Sequence, residues 1–378
     1  MNELGLYVHI PFCAKKCRYC DFASFSDKFD YFEDYTHALV SEIIKKAPRA
    51  RGFSVKSIYV GGGTPVILKR KQMAEIFSAL FKNYDISGDC EITVEANPGI
   101  LTKEMVRELK SIGVNRLSLG VQAWQKSLLE LLGRIHTVYD IKKAVDMAQM
   151  ADIENISADL IFAIPGQKVK DWEESLLNTV DLGVKHISAY SLIFEEGTPF
   201  MEALKAGELK PVDEKSDRRM YRLTEELLLD FGFKKYEISN YGMDGFFSRH
   251  NINYWKCGEY LGFGLSAHSY FDGRRFSNTK NLDAYIKSGG NPALTEDFSE
   301  TLSKKIKMSE FMFMGLRMTE GISVKEFEER FGEDFYGIFG SKIEEFEDKK
   351  LMEKTETGWR LTPFGTDVSN IVFEGFLL

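Results

Sequence analysis

The sequence predicts an α/β fold, a partial (β/α) barrel followed by a C-terminal winged-helix-like module. Over about the first 240 residues, apolar strand-like runs alternate with segments of helical periodicity. This alternation implies parallel strands, because neighbouring parallel strands need a crossover that is usually a helix. Six or more such units favour a barrel over a short open sheet. The last part of the chain instead has helices followed by a short hairpin pattern.

The elements follow one another in a regular order. Runs rich in β-branched residues or tyrosine predict strands at 4–10, 57–60, 91–96, 116–121, 157–164, 186–193 and 236–239. Helical periodicity predicts helices at 31–46, 69–83, 103–112, 139–151, 170–182 and 213–231. In barrels of this kind the functional side chains gather at the carboxyl ends of the strands.

The composition changes after about residue 240. Residues 1–287 are predicted as the barrel core, with a Gly- and aromatic-rich extension at about 240–287 that ends in a helix near 282–288. Residues 288–300, which contain GGNP, are predicted as a linker. Residues 301–378 are predicted as the winged-helix-like domain, with helices at 302–318, 323–330 and 335–349, two short strands joined by a Glu-Thr-Gly turn, and a last helix.

The charge balance argues against nucleic acid as a partner. The chain has 49 Lys and Arg against 57 Asp and Glu, a net charge of −8. Residues 300–378 have 11 Lys and Arg against 16 Asp and Glu. Because phosphate contacts supply most of the non-specific affinity for DNA, this acidic module is a poor DNA-binding candidate. No stretch approaches the ~18 apolar residues of a membrane span and no signal-like segment is visible, so a cytoplasmic protein is expected.

Three of the five cysteines are clustered. Cys13, Cys17 and Cys20 follow the first predicted strand, whereas Cys90 and Cys257 are solitary. Three thiols on one loop can hold three irons of a [4Fe–4S] cluster and leave the fourth iron open to another ligand. A structural zinc site is the competing interpretation, but it would need a fourth Cys or His.

The spacing Cys-x3-Cys-x2-Cys, with an aromatic residue before the last cysteine, resembles the radical S-adenosylmethionine (SAM) superfamily. The flanking HIPFC and YCDF are more similar to the oxygen-independent coproporphyrinogen III oxidase-like group, and the similarity extends over essentially the whole chain. This resemblance implies that the open iron binds the amino and carboxylate groups of SAM. It also implies that reduction of the cluster can cleave the sulfonium to a 5′-deoxyadenosyl radical.

The next two features are the glycines after the second predicted strand and Glu95 on the third. Glycines after the second strand let the backbone approach a ligand closely, although a plain turn would explain them as well. The resemblance assigns Gly62, Gly63 and Thr64 to the methionine amino group. Glu95 is a costly charge on an otherwise apolar strand unless it has a partner. It is either a salt-bridged strand-end residue or, as the resemblance implies, a SAM ligand.

Other polar residues fall at successive strand ends, where a barrel assembles its site. Each of them alone has an ordinary structural explanation, because polar groups are common there. The resemblance implies contacts with SAM or the cluster from Gln122, Arg134, Asp159, Ile193, Tyr7 and Tyr19.

The string HNxxYW begins at His250. An imidazole can ligate iron and flat rings can pack against a porphyrin, although most loop histidines are simply hydrogen-bonded. Within the family this string is associated with HemW-type heme chaperones, which implies a heme contact by His250. His268, in GLSAHSY, is a second candidate.

One position departs from the decarboxylases of this family, which carry a further cysteine two positions after the third; here Phe22 stands there. The predicted function is therefore a heme chaperone that binds heme, a [4Fe–4S] cluster and SAM. It would transfer heme to apo-hemoproteins, with membrane-bound respiratory enzymes as expected acceptors. The alternative is a radical SAM enzyme that decarboxylates coproporphyrinogen III, or that methylates and opens heme. The oligomeric state stays open.

Overall fold

The computed structural model describes residues 2–378, in which a central sheet of twelve strands carries the site. Six parallel strands follow one another in sequence order across its middle. They are β1 (Asn2–Ile10), β2 (Phe53–Gly62), β3 (Ile86–Ala96), β4 (Arg116–Gln122), β5 (Asn155–Phe162) and β6 (His186–Ser191). The helices between them are α1 (Phe32–Lys46), α2 (Arg70–Asn83), α3 (Lys103–Ser111), α4 (Lys126–Leu132), α5 (Val138–Gln149) and α6 (Val169–Val180). This arrangement confirms the predicted α/β partial barrel.

The strands carry two different faces, as β4 illustrates. Leu117, Leu119 and Val121 are fully buried in the main hydrophobic core. The alternate positions, from Arg116 to Gln122, line an interior cavity. Because side chains alternate between the two faces of a strand, one apolar face packs under the helices while the other is left polar and available to a ligand.

The sheet continues beyond β6 with antiparallel strands. The elements are α7 (Pro199–Lys205), α8 (Glu214–Asp230), β7 (Lys234–Glu237), β8 (Asn240–Gly242) and α9 (Arg249–Trp255). Strand β8 pairs with β6, and β7 forms the outer edge on that side. The seventh predicted strand is therefore present, but it runs antiparallel and does not extend the parallel series.

The predicted extension, about residues 240–287, adds strands to the other edge of the sheet. These elements are β9 (Tyr260–Phe263), β10 (His268–Phe271), β11 (Arg274–Asn278), α10 (Leu282–Lys287), α11 (Pro292–Thr295) and β12 (Glu296–Thr301). Strand β9 pairs parallel with β1, and β10 to β12 follow in antiparallel order. The segment 288–300, predicted as a linker, instead contributes α11 and most of β12, because its backbone pairs with β11 at the sheet edge.

The C-terminal part has its own aromatic-rich core, formed around Phe327, Phe339 and Trp359. Its elements are α12 (Lys304–Gly315), β13 (Ile322–Ser323), α13 (Val324–Phe331), α14 (Phe335–Asp348), β14 (Met352–Lys354), β15 (Gly358–Leu361), α15 (Pro363–Asp367) and α16 (Ser369–Glu374). The two predicted strands form the hairpin and a third short strand joins them in the order β13-β15-β14. The single last helix of the prediction is two short helices.

Within residues 2–378 no helix is both long and apolar enough to cross a membrane.

Candidate functional site

An interior cavity of about 430 Å³ opens at the carboxyl ends of the parallel strands. Most of the residues singled out from the sequence meet there, although they come from several different strands and loops. Those that line it are Cys13, Cys17, Tyr19, Cys20, Gly62, Gly63, Thr64, Glu95, Gln122, Arg134, Asp159 and Ile193. Tyr7 and His250 do not line it, and neither does His268.

The cysteine loop is fixed by its main chain. The amide of Cys13 donates to the carbonyl of Phe25 (2.9 Å), so the two ends of the loop are tied together. In the middle, the amide of Arg18 donates to the carbonyl of Leu132 at the end of α4 (3.1 Å). Because these bonds use backbone groups, they hold the loop without occupying the thiols.

His9 ties the same loop to β1. Its Nε2 donates to the carbonyl of Ala23 (2.8 Å), and Nδ1 accepts from the hydroxyl of Tyr7 (2.9 Å). Burial lowers the pKa of His9, which keeps the ring neutral and leaves Nδ1 free to accept. Tyr7 is therefore linked to the loop by its hydrogen bond to His9, and it does not line the cavity itself.

The three clustered thiols lie close to one another and to the guanidinium of Arg134. The Nη1 of Arg134 lies 3.4 Å from Sγ of Cys17. Burial, with smaller contributions from the neighbouring thiols, raises the pKa of Cys20 to about 11, so a free thiolate at Cys20 is unfavourable. Iron relieves this, because a thiolate bound to a cation is deprotonated outright.

Within residues 2–378, no three Cys, His, Asp or Glu side chains converge closely enough to bind one metal ion. A four-iron cluster takes each thiolate on a different iron, so this spacing does not conflict with it. The donor set of three thiols beside one arginine fits a [4Fe–4S] cluster.

The glycine run closes the cavity against the cysteine loop. Gly63 donates its amide to the carbonyl of Ile10 (2.8 Å), and an added Cβ there would lie 2.5 Å from the carbonyl oxygen of Phe12. Gly62 has a φ of +106°, and an added Cβ would collide with the ring of His9. Any larger residue would push the cysteine loop away, which is the local reason for these glycines.

Glu95 lies on the cavity wall at the end of β3. Its Oε1 accepts from the hydroxyl of Tyr59 (2.8 Å) and its Oε2 from the amide of Gly62 (3.1 Å). Burial raises the pKa of Glu95 to about 7, and the nearby Asp159 contributes to the rise. The salt bridge considered from the sequence is absent among the described residues, so this carboxylate can accept from a cationic ligand.

Gln122 and Arg134 meet over Gly120. Gln122 has a φ of +67°, a strained conformation for a residue with a side chain. The Nη2 of Arg134 donates to the carbonyl of Gly120 (2.7 Å), and its Nε is buried without a partner. Such strain and an unsatisfied donor are typical of ligand sites.

Asp159 points into the cavity from β5. Its carboxylate accepts from the hydroxyls of Ser118 (2.8 Å) and Ser157 (3.3 Å). Burial raises its pKa, and these hydrogen bonds together with the nearby Arg116 counteract the rise. With Glu95, it gives the cavity wall two carboxylates that can accept hydrogen bonds from a ligand.

Exposed apolar side chains line the mouth of the cavity beside the charged Lys15, Lys16 and Asp21. Ile193 is 65% exposed and Phe22 is 56% exposed, and both line the opening. The ring of Tyr190, 42% exposed, lies beside them. Exposed apolar groups at a cavity rim favour a flat, apolar ligand.

His250 is buried and does not line the cavity, and its predicted contact with heme stays a prediction. Its Nδ1 is hydrogen-bonded with Oγ of Ser57 (2.8 Å) and its Nε2 with the hydroxyl of Tyr254 (2.8 Å). Burial lowers its pKa to about 3, with a contribution from Arg116. Neither ring nitrogen is free for iron here. His268 is exposed on β10, away from the cavity.

Several lining residues were missed from the sequence. Arg116 is a charge on an apolar strand, the signal that identified Glu95, but it lies at the start of its strand and not at its end. Asn251 is part of the HNxxYW string and faces the cavity where His250 does not. Further examples are Tyr59, Ser118, Ser188 and Tyr190.

Comparisons with known proteins place two family models on the chain. The model described as "Radical SAM superfamily" matches residues 7–177, and the one described as "HemN C-terminal domain" matches residues 302–368. The first begins in β1 and ends in α6, so it spans the cysteine loop and the strands that line most of the cavity.

Similar proteins match along the whole chain. A protein named heme chaperone HemW from Lactococcus lactis is 36% identical, covering 98% of this chain and 97% of its own. Its namesake from Bacillus subtilis is 36% identical, covering 98% of both. A mitochondrial radical S-adenosyl methionine domain-containing protein 1 from Danio rerio is 32% identical, covering 86% of this chain and 75% of its own.

Among solved structures, the coproporphyrinogen III oxidase HemN from Escherichia coli has the same fold. Its TM-score is 0.87 at 22% identity, covering 100% of this chain and 90% of that one. The match includes the C-terminal domain, so the barrel and the aromatic-rich module form a shared architecture.

Proposed function

The chain belongs to the HemW family of radical SAM proteins, and from this premise we propose that it binds heme and transfers it to apo-hemoproteins. The observation that carries the proposal is the group of exposed apolar side chains, Phe22, Tyr190 and Ile193, at the mouth of the cavity. Phe22 occupies the place where the decarboxylases of the group carry a further cysteine, and it presents its ring to solvent. An exposed aromatic ring at that place can pack against the face of a porphyrin. A thiol there would instead suit a catalytic role.

The cavity residues fit the two resident cofactors. Cys13, Cys17 and Cys20 would hold the [4Fe–4S] cluster, with Arg134 balancing part of the thiolate charge. SAM would lie beyond it, held by Gly62, Gly63, Thr64, Glu95, Gln122, Arg134 and Asp159, with Ile193 against the adenine. When bound, the reduced cluster with SAM supplies one-electron cleavage of the sulfonium.

His250 supports heme binding indirectly in this proposal. Because both ring nitrogens are already bonded, we assign it the task of holding α9, which presents Asn251 to the cavity. Heme would instead contact the mouth through Phe22, Tyr190 and Ile193. Handover would take place in the cytoplasm, with membrane-bound respiratory enzymes as acceptors.

The test begins with heme titration of the anaerobically reconstituted protein, followed by visible absorption. Phe22→Ala should weaken heme binding about tenfold, because losing most of a phenyl contact costs ~1.4 kcal/mol. Phe364→Ala is the matched control, since Phe364 is 59% exposed on the C-terminal domain. The heme-loaded protein should then deliver heme to an apo b-type respiratory cytochrome.

Two results would contradict this function. One is the absence of heme binding by the reconstituted protein. The other is multiple-turnover formation of protoporphyrinogen IX from coproporphyrinogen III in the presence of reductant and SAM, which would establish the enzymatic alternative.

A further inference from the structure

A line of hydrogen bonds runs from the start of α9 to Asp159 on the cavity wall. The amide of Ser248 lies 3.3 Å from the hydroxyl of Tyr236, and that hydroxyl lies 2.8 Å from Nε2 of His186. Nδ1 of His186 lies 2.7 Å from Oγ of Ser157, which in turn lies 3.3 Å from Oδ1 of Asp159. The line crosses β7, β6 and β5, so it joins residues that are far apart in sequence.

The residues that lead to Asp159 are buried. They are Ser248, Tyr236, His186 and Ser157. Burial, together with the charge of Arg116, holds the pKa of His186 well below its ordinary value, so the ring is neutral. A neutral imidazole has one N–H donor and one acceptor nitrogen, and its two neighbours therefore decide which nitrogen carries the proton.

The direction of these hydrogen bonds follows from counting donors. A backbone amide can only donate, so the hydroxyl of Tyr236 accepts from Ser248 and keeps its own proton for Nε2 of His186. Nδ1 of His186 then carries the ring proton and donates to Ser157, whose hydroxyl is left to donate to Asp159. In the opposite tautomer, Nε2 and the amide would both donate to the phenol oxygen, and the phenol proton would have no acceptor within residues 2–378. Only the first tautomer satisfies every group.

We propose that His186 and Tyr236 are positioning residues for Asp159. Tyr236 fixes the tautomer of His186, and His186 thereby directs the hydroxyl of Ser157 toward the carboxylate. Ser118 donates to the other carboxylate oxygen (2.8 Å), so Asp159 is held from both sides and its remaining lone pairs are available to a ligand in the cavity. Hydrogen bonds that point in one direction also strengthen one another.

The inference rests on the proposed function in one respect, the contact between Asp159 and a SAM-type ligand. The tautomer of His186 is a property of the ligand-free protein and does not depend on that contact. The same line joins α9 to the ligand site, because Oγ of Ser248 accepts from the amide of Asn251 (3.3 Å) and caps this helix. A change at Tyr236, which does not line the cavity, should therefore affect binding there.

The first measurement is the tautomer of His186 in protein labelled with nitrogen-15 at histidine. The ring nitrogen resonances distinguish a protonated Nδ1 from a protonated Nε2, and those of His186 are assigned by their loss in His186→Gln. We expect a protonated Nδ1 in the unmodified protein and in Tyr241→Phe, but not a single Nδ1-protonated form in Tyr236→Phe. Tyr241 is the matched control, because it is a buried tyrosine whose hydroxyl has no hydrogen-bond partner within residues 2–378.

The second measurement is the dissociation constant of S-adenosylhomocysteine from the anaerobically reconstituted full-length protein. Ser157→Ala removes the last hydrogen bond and should weaken binding about tenfold, as expected for one bond to a charged group. Tyr236→Phe should weaken binding about threefold, because the hydroxyl of Ser157 is no longer directed to the carboxylate. The double variant should bind no more weakly than Ser157→Ala, since both changes act through the same bond. Tyr241→Phe should bind like the unmodified protein.

A protonated Nε2 on His186 in the unmodified protein would overturn the inference. So would unchanged affinity in Tyr236→Phe, or a double variant that binds several-fold more weakly than Ser157→Ala, because Tyr236 would then act independently of Ser157. If the unmodified protein bound no S-adenosylhomocysteine, the SAM contact of the proposed function would fail, while the tautomer of His186 still decided this inference.

Discussion

The cysteine loop keeps its conformation through hydrogen bonds that do not depend on the three thiols. The cysteine loop is held by backbone amides and by His9, so none of the three thiols is needed to maintain the loop. Replacing one thiol should therefore remove a cluster ligand without unfolding the loop. That separation makes the ligand assignment testable.

We predict that Cys17→Ala loses most of the iron from a cluster that otherwise holds about four irons and four sulfides per chain. Iron and sulfide analysis after anaerobic reconstitution measures this loss. Cys90→Ala is the control, since Cys90 is a buried solitary thiol on β3 and should keep the full complement. Full iron content in Cys17→Ala would refute the assignment.

Glu95 should make the ligand-free protein less stable as the pH rises. Its folded pKa of about 7 lies above the ordinary value of 4.5 because burial disfavours the charge. The folded state thus holds the proton more tightly, and the resulting stability is complete below pH 4.5 and lost as the pH rises through 7. Glu95→Gln has no titrating carboxyl group, so it should not lose this stability as the pH rises.

Urea unfolding at pH 5 and pH 8 measures the effect. Between pH 5 and pH 8, the free energy of unfolding of Glu95→Gln should rise by about 2 kcal/mol relative to that of the unmodified protein. This is less than the full pKa shift would give, because the carboxylate partly faces the cavity. Glu104→Gln, at an exposed position on α3, should show no such gain. Parallel pH profiles for Glu95→Gln and the unmodified protein would contradict the prediction.

Residue chemistry was predictable from the sequence where a strand fixed the direction of the side chain. Glu95 was identified because a charge on an apolar strand needs a partner, and it does line the cavity. The sequence did not show that His250 points away from the cavity, because the direction of a helical side chain depends on the phase of the helix. One residue further along α9, about 100° around the axis, Asn251 faces the cavity instead.

At the scale of elements, α9 connects the floor of the cavity to its wall. The carboxylate of Glu91 accepts from the amides of Arg249 and His250 (3.2 Å each), which caps the start of the helix. Inside, His250 bridges Ser57 on β2 to Tyr254 one turn later. The helix is short, so these contacts and not helical propensity hold it in place.

We predict that His250→Ala destabilises the protein by about 2–4 kcal/mol, because it leaves a cavity and two unpaired hydroxyls. Tyr254→Phe should cost about 1 kcal/mol. Asn251→Ala should change stability by less than ~0.5 kcal/mol but alter ligand binding. Urea unfolding and heme titration give these values.

The heme spectrum distinguishes positioning from iron ligation. If His250 only holds α9, the absorption maxima of any heme that His250→Ala still binds should be unchanged. A shifted spectrum in a variant of full stability would show that the ring reaches the iron, contrary to the assignment made here.

The parallel strands were predictable because their apolar alternation is strong, and β1 to β6 all appear where the pattern placed them, within a few residues. Strand β12 was missed for the opposite reason. Strand β12, with the sequence EDFSET, is almost entirely exposed at the sheet edge. With no buried face it has no alternating pattern, so its composition favoured a linker.

At the scale of the whole molecule, the C-terminal domain joins the barrel through polar contacts around the end of α9. The guanidinium of Arg317 lies 4.3 Å from the ring centre of Trp255, and its Nη2 lies 3.6 Å from Oε2 of Glu237. Arg330 donates to the carbonyls of Lys256 and Cys257 (3.1 and 2.8 Å). The position of the domain is thereby linked to the helix that carries Asn251.

Arg317 is the central residue of this contact. Glu237 is fully buried, and its Oε2 has no hydrogen-bond partner, so Arg317 is the cation that balances it. Burial raises the pKa of Glu237, and Arg317 opposes this rise. Removing the arginine leaves a buried acid without its counter-charge and strips one face of Trp255.

We predict that Arg317→Ala lowers the stability by about 2 kcal/mol and separates the unfolding of the two parts of the chain. Since each part has its own hydrophobic core, calorimetry should resolve two transitions where the unmodified protein gives one. Lys256→Ala breaks the exposed pair with Glu320 at the same junction and should cost under ~0.5 kcal/mol. A single unshifted transition in Arg317→Ala would mean that the domain is held by its remaining contacts, and α9 would then be positioned from the barrel side alone.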